Sequence, residues 1–391
     1  MSGRLARLVL VCITATATGA ALAPLPARAA PEPGPGQDTA SVAHLLTDLQ
    51  QLYRDAEKAT EAYNATEEKL KKQRAETDRL HRALARARLS LHDSRGAAGR
   101  LARQQYQNST GLSPYVRLLL ARDPQHAIDQ GHVIGRLARE RAEAIGRLTG
   151  SERKTRDLAR KARKALDEQL ALTERRKKER DRVHERLHDV EELLASLNRD
   201  QLAALAEFEK NGIKDAQEEL MASGALSGAR RPSAEGDRAV RYAVRQLGKP
   251  YQWGAEGPTS YDCSGLTSQA WAAAGTPIPR TSQEQWKRLK PVPLSELRPG
   301  DLVVYFREAT HVALYLGGGM VVQAPRPGAK VKVSPIAANP LLGAVRPDPD
   351  GKPLRRYEPP ELPEGATDGS DEGYEGEEGD YAAPAPETST R

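Results

Sequence analysis

Tyr261-Asp262-Cys263-Ser264-Gly265-Leu266 is the stretch on which the reading of this 391-residue chain turns. The chain has two cysteines, and the other, Cys12, falls in an N-terminal segment with the plan of an export signal. A mature form would keep one thiol, which has no partner for an internal disulfide. In an exported protein such a thiol bridges to another molecule, is a passenger, or is a reactive nucleophile. The surroundings favour the nucleophile. The turn-rich run Gly254-Ala255-Glu256-Gly257-Pro258 comes before it, and Leu266 to Ala274 reads as a helix ended by Gly275. A thiol at a helix N-terminus meets the positive end of the helix dipole, which is expected to lower its pKa and raise its thiolate fraction.

A cysteine nucleophile needs a base. Of the eight histidines, seven (44, 81, 92, 126, 132, 184 and 188) fall in the helical N-terminal half, which leaves His311 for the globular part. His311 opens the apolar, β-prone run His311-Val312-Ala313-Leu314-Tyr315-Leu316-Gly317, bounded by Thr310 and Gly317-Gly318-Gly319, a strand pattern. A third polar group should orient the imidazole. The next strand candidate, Met320 to Pro325, offers Gln323, which alternation puts on the face opposite Val322.

These pieces belong to a longer ordered set: Gly248-Lys249-Pro250-Tyr251-Gln252-Trp253-Gly254, then Asp262-Cys263-Ser264-Gly265-Leu266, then Arg280-Thr281-Ser282 with Gln285, then Leu297-Arg298-Pro299-Gly300-Asp301-Leu302, then the His311 run. In them, residues 236 to 349 resemble the NlpC/p60 cell-wall peptidases, small papain-like cysteine hydrolases. The resemblance implies an α+β papain-like domain, with helices packed on an antiparallel sheet. It implies Cys263 as nucleophile, His311 as base and Gln323, twelve residues after the histidine, in the third position. Many relatives carry His there. Gln can hold the imidazole by a hydrogen bond but supplies no charge. Ala255 stands where the family often has a second Gly.

The same resemblance implies a substrate: the stem peptide of bacterial peptidoglycan, cut between D-glutamate and the diamino acid that follows. Cys263 would attack the amide carbonyl, His311 would protonate the leaving amine, and water would then hydrolyse the thioester. The Cys263 backbone N–H and the Tyr251 hydroxyl would hold the oxyanion. Asp262, Ser264 and Arg280 join Tyr251 as substrate-binding candidates. No metal and no cofactor is implied.

The rest of the chain reads in order. Residues 1–29 have a basic start, an apolar run and the small-x-small site Ala27-Arg28-Ala29, a signal peptide cut after Ala29. The apolar run is too short and interrupted for a membrane span, so none is expected after cleavage. Residues 30–38 read as a linker. Residues 39–220 read as a coiled-coil hairpin. Its first arm carries Val42, Leu45, Leu49, Leu52, Ala56, Ala59, Tyr63 and Leu70, then Leu80, Leu84, Leu91 and Leu101, in alternating steps of three and four. A break spans Leu112 to His132, with Pro114 and Pro124. The second arm runs from about Val133 to Lys210 through Leu137, Ala144, Leu148, Leu158, Ala162, Leu166, Val183, Leu187, Val190, Leu194 and Leu197. Each arm would be on the order of 100 Å long. The histidines and acids of this half read as those of solvated faces, and the spacing of His184 and His188 does not make a metal site. Residues 221–235 read as a linker, 236–349 as the catalytic domain opening on a helix at Ala239 to Leu247, and 350–391 as a disordered acidic tail. Within the domain, Val331-Lys332-Val333 and Gly343-Ala344-Val345 read as further strands.

The net charge of +6 is spread over helix faces, and no nucleic-acid partner is expected. The function read from these pieces is a secreted or wall-associated thiol peptidase acting on peptidoglycan stem peptides. The coiled coil would position or restrain it and would offer a surface for a regulatory protein partner. A different class, a non-catalytic wall scaffold acting through the coiled coil, is the alternative. A hairpin tethered by a short linker has a high effective concentration near the site, so it is expected to suppress activity.

Overall fold

The computed structural model describes residues 35–108, 114–120, 123–226, 228 and 230–366. The expected signal peptide, with Cys12, and the acidic run after Ala366 lie outside them. Two long helices, α1 (Pro35–Asn108) and α3 (Pro124–Ser196), flank a short α2 (Pro114–Leu119), and α4 (Arg199–Ala222) follows. At 74 and 73 residues, α1 and α3 are each roughly 110 Å long. They run antiparallel, because partner numbers on α3 fall as those on α1 rise. Arg176 meets Glu67, Thr77 Oγ1 reaches the Ala165 carbonyl, Thr155 Oγ1 reaches the Ala87 carbonyl, and Ser94 meets Ser151. Leu80 and Leu84 pack on Ala162 and Ala165. Leu166, expected in this seam, is turned outward beside these small residues, and Leu137 is also exposed.

The hairpin boundaries differ from the sequence expectation. Helix α1 begins at Pro35, inside the expected linker. Pro124 does not break the second arm but starts it, since a proline at the first helical turn gives up an N–H that has no intrahelical partner. Asp123 caps that start by accepting from the His126 N–H at 2.7 Å. The arm also stops early. Leu197 and Asn198 are extended, and Asn198 forms a capping box with Gln201 that restarts the chain as α4. Leu205 of α4 is then buried with Leu49, Tyr53 and Val190, which makes this end of the hairpin a three-helix cluster.

The remaining elements are α5 (Ala234–Val244), α6 (Cys263–Ala273), α7 (Ser282–Arg288) and six strands, β1 (Lys290–Val292), β2 (Leu302–Tyr305), β3 (His311–Gly317), β4 (Met320–Gln323), β5 (Lys332–Pro335) and β6 (Leu341–Arg346). The strands form one antiparallel sheet in the order β1-β6-β2-β3-β4-β5. This is the expected α+β layout. The opening helix begins five residues before Ala239, because Ser233 caps it through the Gly236 N–H. Alternation along the strands serves two buried faces. Leu302, Val304, Val312, Leu314 and Val322 pack with α5 and with Leu266, Ala270 and Trp271 of α6. Val303, Tyr305, Ala313, Tyr315 and Val321 point the other way, against Ile336 and the end of α4 at Leu220.

The expected tail also differs. From Asp350 to Ala366 the chain lies on the domain: the Leu354 N–H bonds the Pro232 carbonyl, Arg241 bonds the Glu358 carbonyl, and the Val333 N–H bonds the Ala366 carbonyl. The end of the block Leu297 to Leu302 is a packing device. Gly300 has φ of 100° and approaches Gly236, while its carbonyl receives the Trp271 indole N–H at 3.1 Å. Gly265 has a similar role in α6, where a Cβ would lie 2.1 Å from the Ala255 carbonyl oxygen. Gly265→Ala is therefore expected to lower stability by about 1–3 kcal/mol as the 255 loop is pushed away, read as a fall in the denaturant midpoint.

Candidate active site

The site is built at the start of α6. Asp262 has extended backbone and caps the helix, its Oδ1 accepting from the Gly265 N–H at 2.6 Å, so Cys263 is the first helical residue. The same carboxylate accepts from the Gly254 N–H at 2.9 Å and forms a two-point pair with Arg280 at 3.0 and 2.7 Å. Arg280 goes on to Glu256 at 2.7 Å and to the Ser264 hydroxyl at 2.8 Å. Arg280 is thus the central cation of the site, and its guanidinium is held firmly charged by Asp262, Glu61 and Glu256 against the cost of burial.

Across the sheet edge, His311 opens β3 and is fully buried. Its Nε2 lies 2.7 Å from Gln323 Oε1 on β4, and since an amide oxygen only accepts, that nitrogen carries a hydrogen. The Cys263 thiol sits beside the Val312 N–H, next to this histidine. Tyr251 is buried, and the charge a Cys263 thiolate would carry contributes to raising its phenol pKa, after burial itself. The structure therefore brings Cys263, His311, Gln323, Tyr251, Asp262, Ser264 and Arg280 together.

It also brings in residues that the sequence reading left on a solvated face. Glu57, Glu61 and Asn64 of α1 are all buried. The Glu61 carboxylate accepts from the Ser264 hydroxyl at 2.6 Å and from the Ser282 N–H at 2.9 Å. Asn64 donates to Asp262 at 3.1 Å. Glu57 Oε1 is 2.9 Å from His311 Nδ1, an ion-pair contact in which the ring N–H is not aimed at the oxygen. Around this polar plug, Tyr63 and His184 stand edge-on to Trp253 at 5.1 and 5.4 Å between ring centres. Ala56, Val183 and Leu187 join the apolar cluster that contains Cys263. The signal that could have found the plug is the stripe Glu57-Glu61-Asn64, at steps of four and three beside the seam residues Ala56 and Tyr63.

The plug reverses one expectation. The helix start does not leave Cys263 with a lowered pKa. Burial pushes the thiol well up, and the carboxylates of Glu61, Asp262 and Glu57 add to the rise, against a lowering by the Val312 N–H. His311 is raised despite burial, chiefly by Glu57 and then by Gln323. Both shifts run the same way, toward the protonated form of the thiol and of the imidazole.

Residues 248–342 match the NlpC/P60 family. This chain carries an NlpC/P60 domain. The chain is 42% identical over 116 residues to a probable endopeptidase of Corynebacterium glutamicum, covering 29% of this chain and 56% of that protein. It is 37% identical over 123 residues to the peptidoglycan endopeptidase RipA of Mycolicibacterium smegmatis, covering 27% of this chain and 25% of that one. Among solved structures it is similar to RipD of Mycobacterium tuberculosis, described as a non-catalytic NlpC/p60 domain protein adapted to peptidoglycan binding, at 34% identity and a TM-score of 0.27, covering 29% of this chain and 96% of that one. The chain thus spans about half, or less, of the length of these curated relatives. Among the described residues no helix is long and apolar enough to cross a membrane.

Burial and Asp262, opposed by Arg280, raise the Glu61 carboxyl from 4.5 to about 7 while α1 is docked. A group whose pKa is raised in the docked state stabilises that state fully below its free pKa and loses the contribution as pH rises through the docked one. Glu61 should thus favour docking near pH 5 and cease to do so above about pH 7. Trp253 emission, red-shifted when Tyr63 and His184 leave it, should report more undocking between pH 5 and 9, and Glu61→Gln should flatten that dependence.

Proposed function

We propose that this chain is an exported, wall-associated peptidoglycan hydrolase. It cuts the stem peptide, at the D-glutamyl–diamino acid amide, through a Cys263 thioester, and its helical hairpin restrains it. The observation that carries the reading is the meeting of Cys263, at the first turn of α6, with a buried His311 whose far nitrogen is held 2.7 Å from Gln323, inside an NlpC/P60 domain.

The chemistry follows from the positions once α1 is withdrawn. The Cys263 sulfur adds to the amide carbonyl, and the oxyanion takes the Cys263 backbone N–H and the Tyr251 hydroxyl. The C–N bond breaks as the imidazolium of His311 gives its proton to the leaving amine. Water then loses a proton to the neutral imidazole and adds to the thioester, releasing the new carboxylate and the thiolate. Gln323 fixes the ring plane through Nε2 and leaves Nδ1 for the proton transfers. The Ser264 hydroxyl and Ser282 N–H, which hold the Glu61 carboxylate in the docked chain, with the Arg280 charge bonded behind Ser264, suit a carboxylate of the stem peptide when Glu61 is absent.

The test uses residues 230–366 alone, the full chain, and the fragment with Cys263→Ala, each checked for folding by circular dichroism and incubated with purified peptidoglycan. The fragment is expected to release stem peptides cut after D-glutamate, the full chain to release them more slowly, and Cys263→Ala to release none. Fragments identified by mass that are cut elsewhere would change the bond assigned. No release by a folded fragment would transfer the weight to a non-catalytic wall scaffold. In the active fragment, Gln323→Ala should lower turnover below wild type while leaving it above Cys263→Ala, because the imidazole keeps its proton chemistry but loses its fixed plane.

A further inference from the structure

The hairpin does more than cover the cleft. Of the two ring nitrogens of His311, Nε2 is committed to Gln323, and the other, Nδ1, is the one through which a neighbouring thiol and imidazole would exchange charge. At that nitrogen stands Glu57 Oε1, 2.9 Å away and almost wholly buried. Glu61, one turn further along α1, brings a second carboxylate near Cys263 through Ser264. The charged and titratable groups facing the pair are Glu57 and Glu61 from α1, Asp262 and Tyr251 beside the start of α6, Arg280 before α7 and Tyr305 from β2, whose ring is 5.6 Å from the imidazole. Arg280 is taken up by Asp262, Glu256 and Ser264. A protonated His311, 2.9 Å from Glu57, would therefore be the cation left to pair with either Glu57 or a thiolate, and it could not serve both in a site this dry.

We infer that the hairpin silences Cys263 by charge substitution: while α1 is docked, the Glu57 carboxylate serves as the counter-ion of the His311 imidazolium in place of the Cys263 thiolate, and the thiol stays protonated. When α1 withdraws, Glu57 leaves with its negative charge, His311 keeps both ring protons, and Cys263 gives its proton to solvent to become the new counter-ion. Release thus activates the nucleophile in the same step that opens the cleft. This rests on the hydrolase reading for its purpose, but its test uses no peptidoglycan, so the two stand or fall separately.

The experiment is done on the full chain. In 15N-histidine spectra at pH 7.5, with the His311 signals assigned by their loss in His311→Gln, wild type should have both ring nitrogens protonated. A neutral His311 in the docked wild type overturns the inference. The isosteric Glu57→Gln keeps the bulk of the plug and removes its charge. With Trp253 emission unshifted, so that α1 is still docked, this variant should be alkylated at Cys263 by a small uncharged reagent about tenfold faster than wild type at pH 7.5, the effect of one unit in thiol pKa. An unchanged rate in a docked Glu57→Gln means that the hairpin acts only as a cover, and overturns it. If Glu57→Gln undocks, the protonation of His311 in wild type decides alone.

Discussion

Asp262 is a carboxylate with no exposed surface, and the site depends on how its charge is met. A lone buried carboxylate is too costly to keep. Here two backbone N–H groups, from Gly254 and Gly265, and two guanidinium N–H groups, from Arg280, converge on its two oxygens. Each partner fixes something else. The bond to the Gly265 N–H caps α6 and sets Cys263 at its first turn. Gly254 ties down the loop that carries Trp253. Arg280 orders the segment leading into α7, where Gln285 reaches back to the Ser264 and Pro279 carbonyls. Replacing Arg280 by Lys would keep a charge and lose the planar two-point match.

The hairpin docks on this arrangement by adding to it. Asn64 meets Asp262, Glu61 meets Ser264 and Ser282, and Glu57 meets His311, so each polar group on the plug finds a partner already fixed in the domain. Such pairs gain little net stability, because the desolvation of each charge offsets most of the attraction. Their value is in register, since a helix rotated or shifted by one residue would bury carboxylates against nothing. The apolar share comes from the buried Ala56, Val183 and Leu187 and from the half-buried Tyr63. Further along, α4 adds its own hold through the pair of Arg326 with Glu209 at 2.9 Å and the Gln217 bonds to Gly319 and Ala337.

How much of this was legible depended on whether the constraint was local. The strand from His311 to Gly317 and the stop of the Cys263 helix before Gly275 follow from local patterning, and both stand at the expected residues. Alternation puts His311 and Gln323 on one face of the sheet, but their meeting is diagonal, because the register sets Leu314 against Val322. The restart at Asn198 was also written locally, as an Asn with Gln three residues on, but the apolar periodicity runs through it and hid the break. The fate of Asp350 to Ala366 was not local: an acidic, Pro-rich segment reads as unable to offset its ordering entropy until its hydrogen bonds to Pro232, Arg241 and Val333 are known. Glu57 and Glu61 were the hardest, since the stripe they form with Asn64 beside the seam fits a solvated helix face equally well.

That degeneracy has a physical consequence for control. An apolar plug would bind the cleft tightly and would expose a greasy stripe to water whenever it let go. The two carboxylates and the amide of this plug would recover their hydration on undocking, so that only Ala56, Tyr63, Val183 and Leu187 would bare apolar surface. The free-energy difference between docked and undocked hairpin is therefore a small remainder of large opposing terms, desolvation against pairing, and small remainders are easily tipped by pH, salt or a partner pulling on the far end of a helix roughly 110 Å long. The polar character that makes Glu57 and Glu61 read as a solvated face is thus also what would let the hairpin leave.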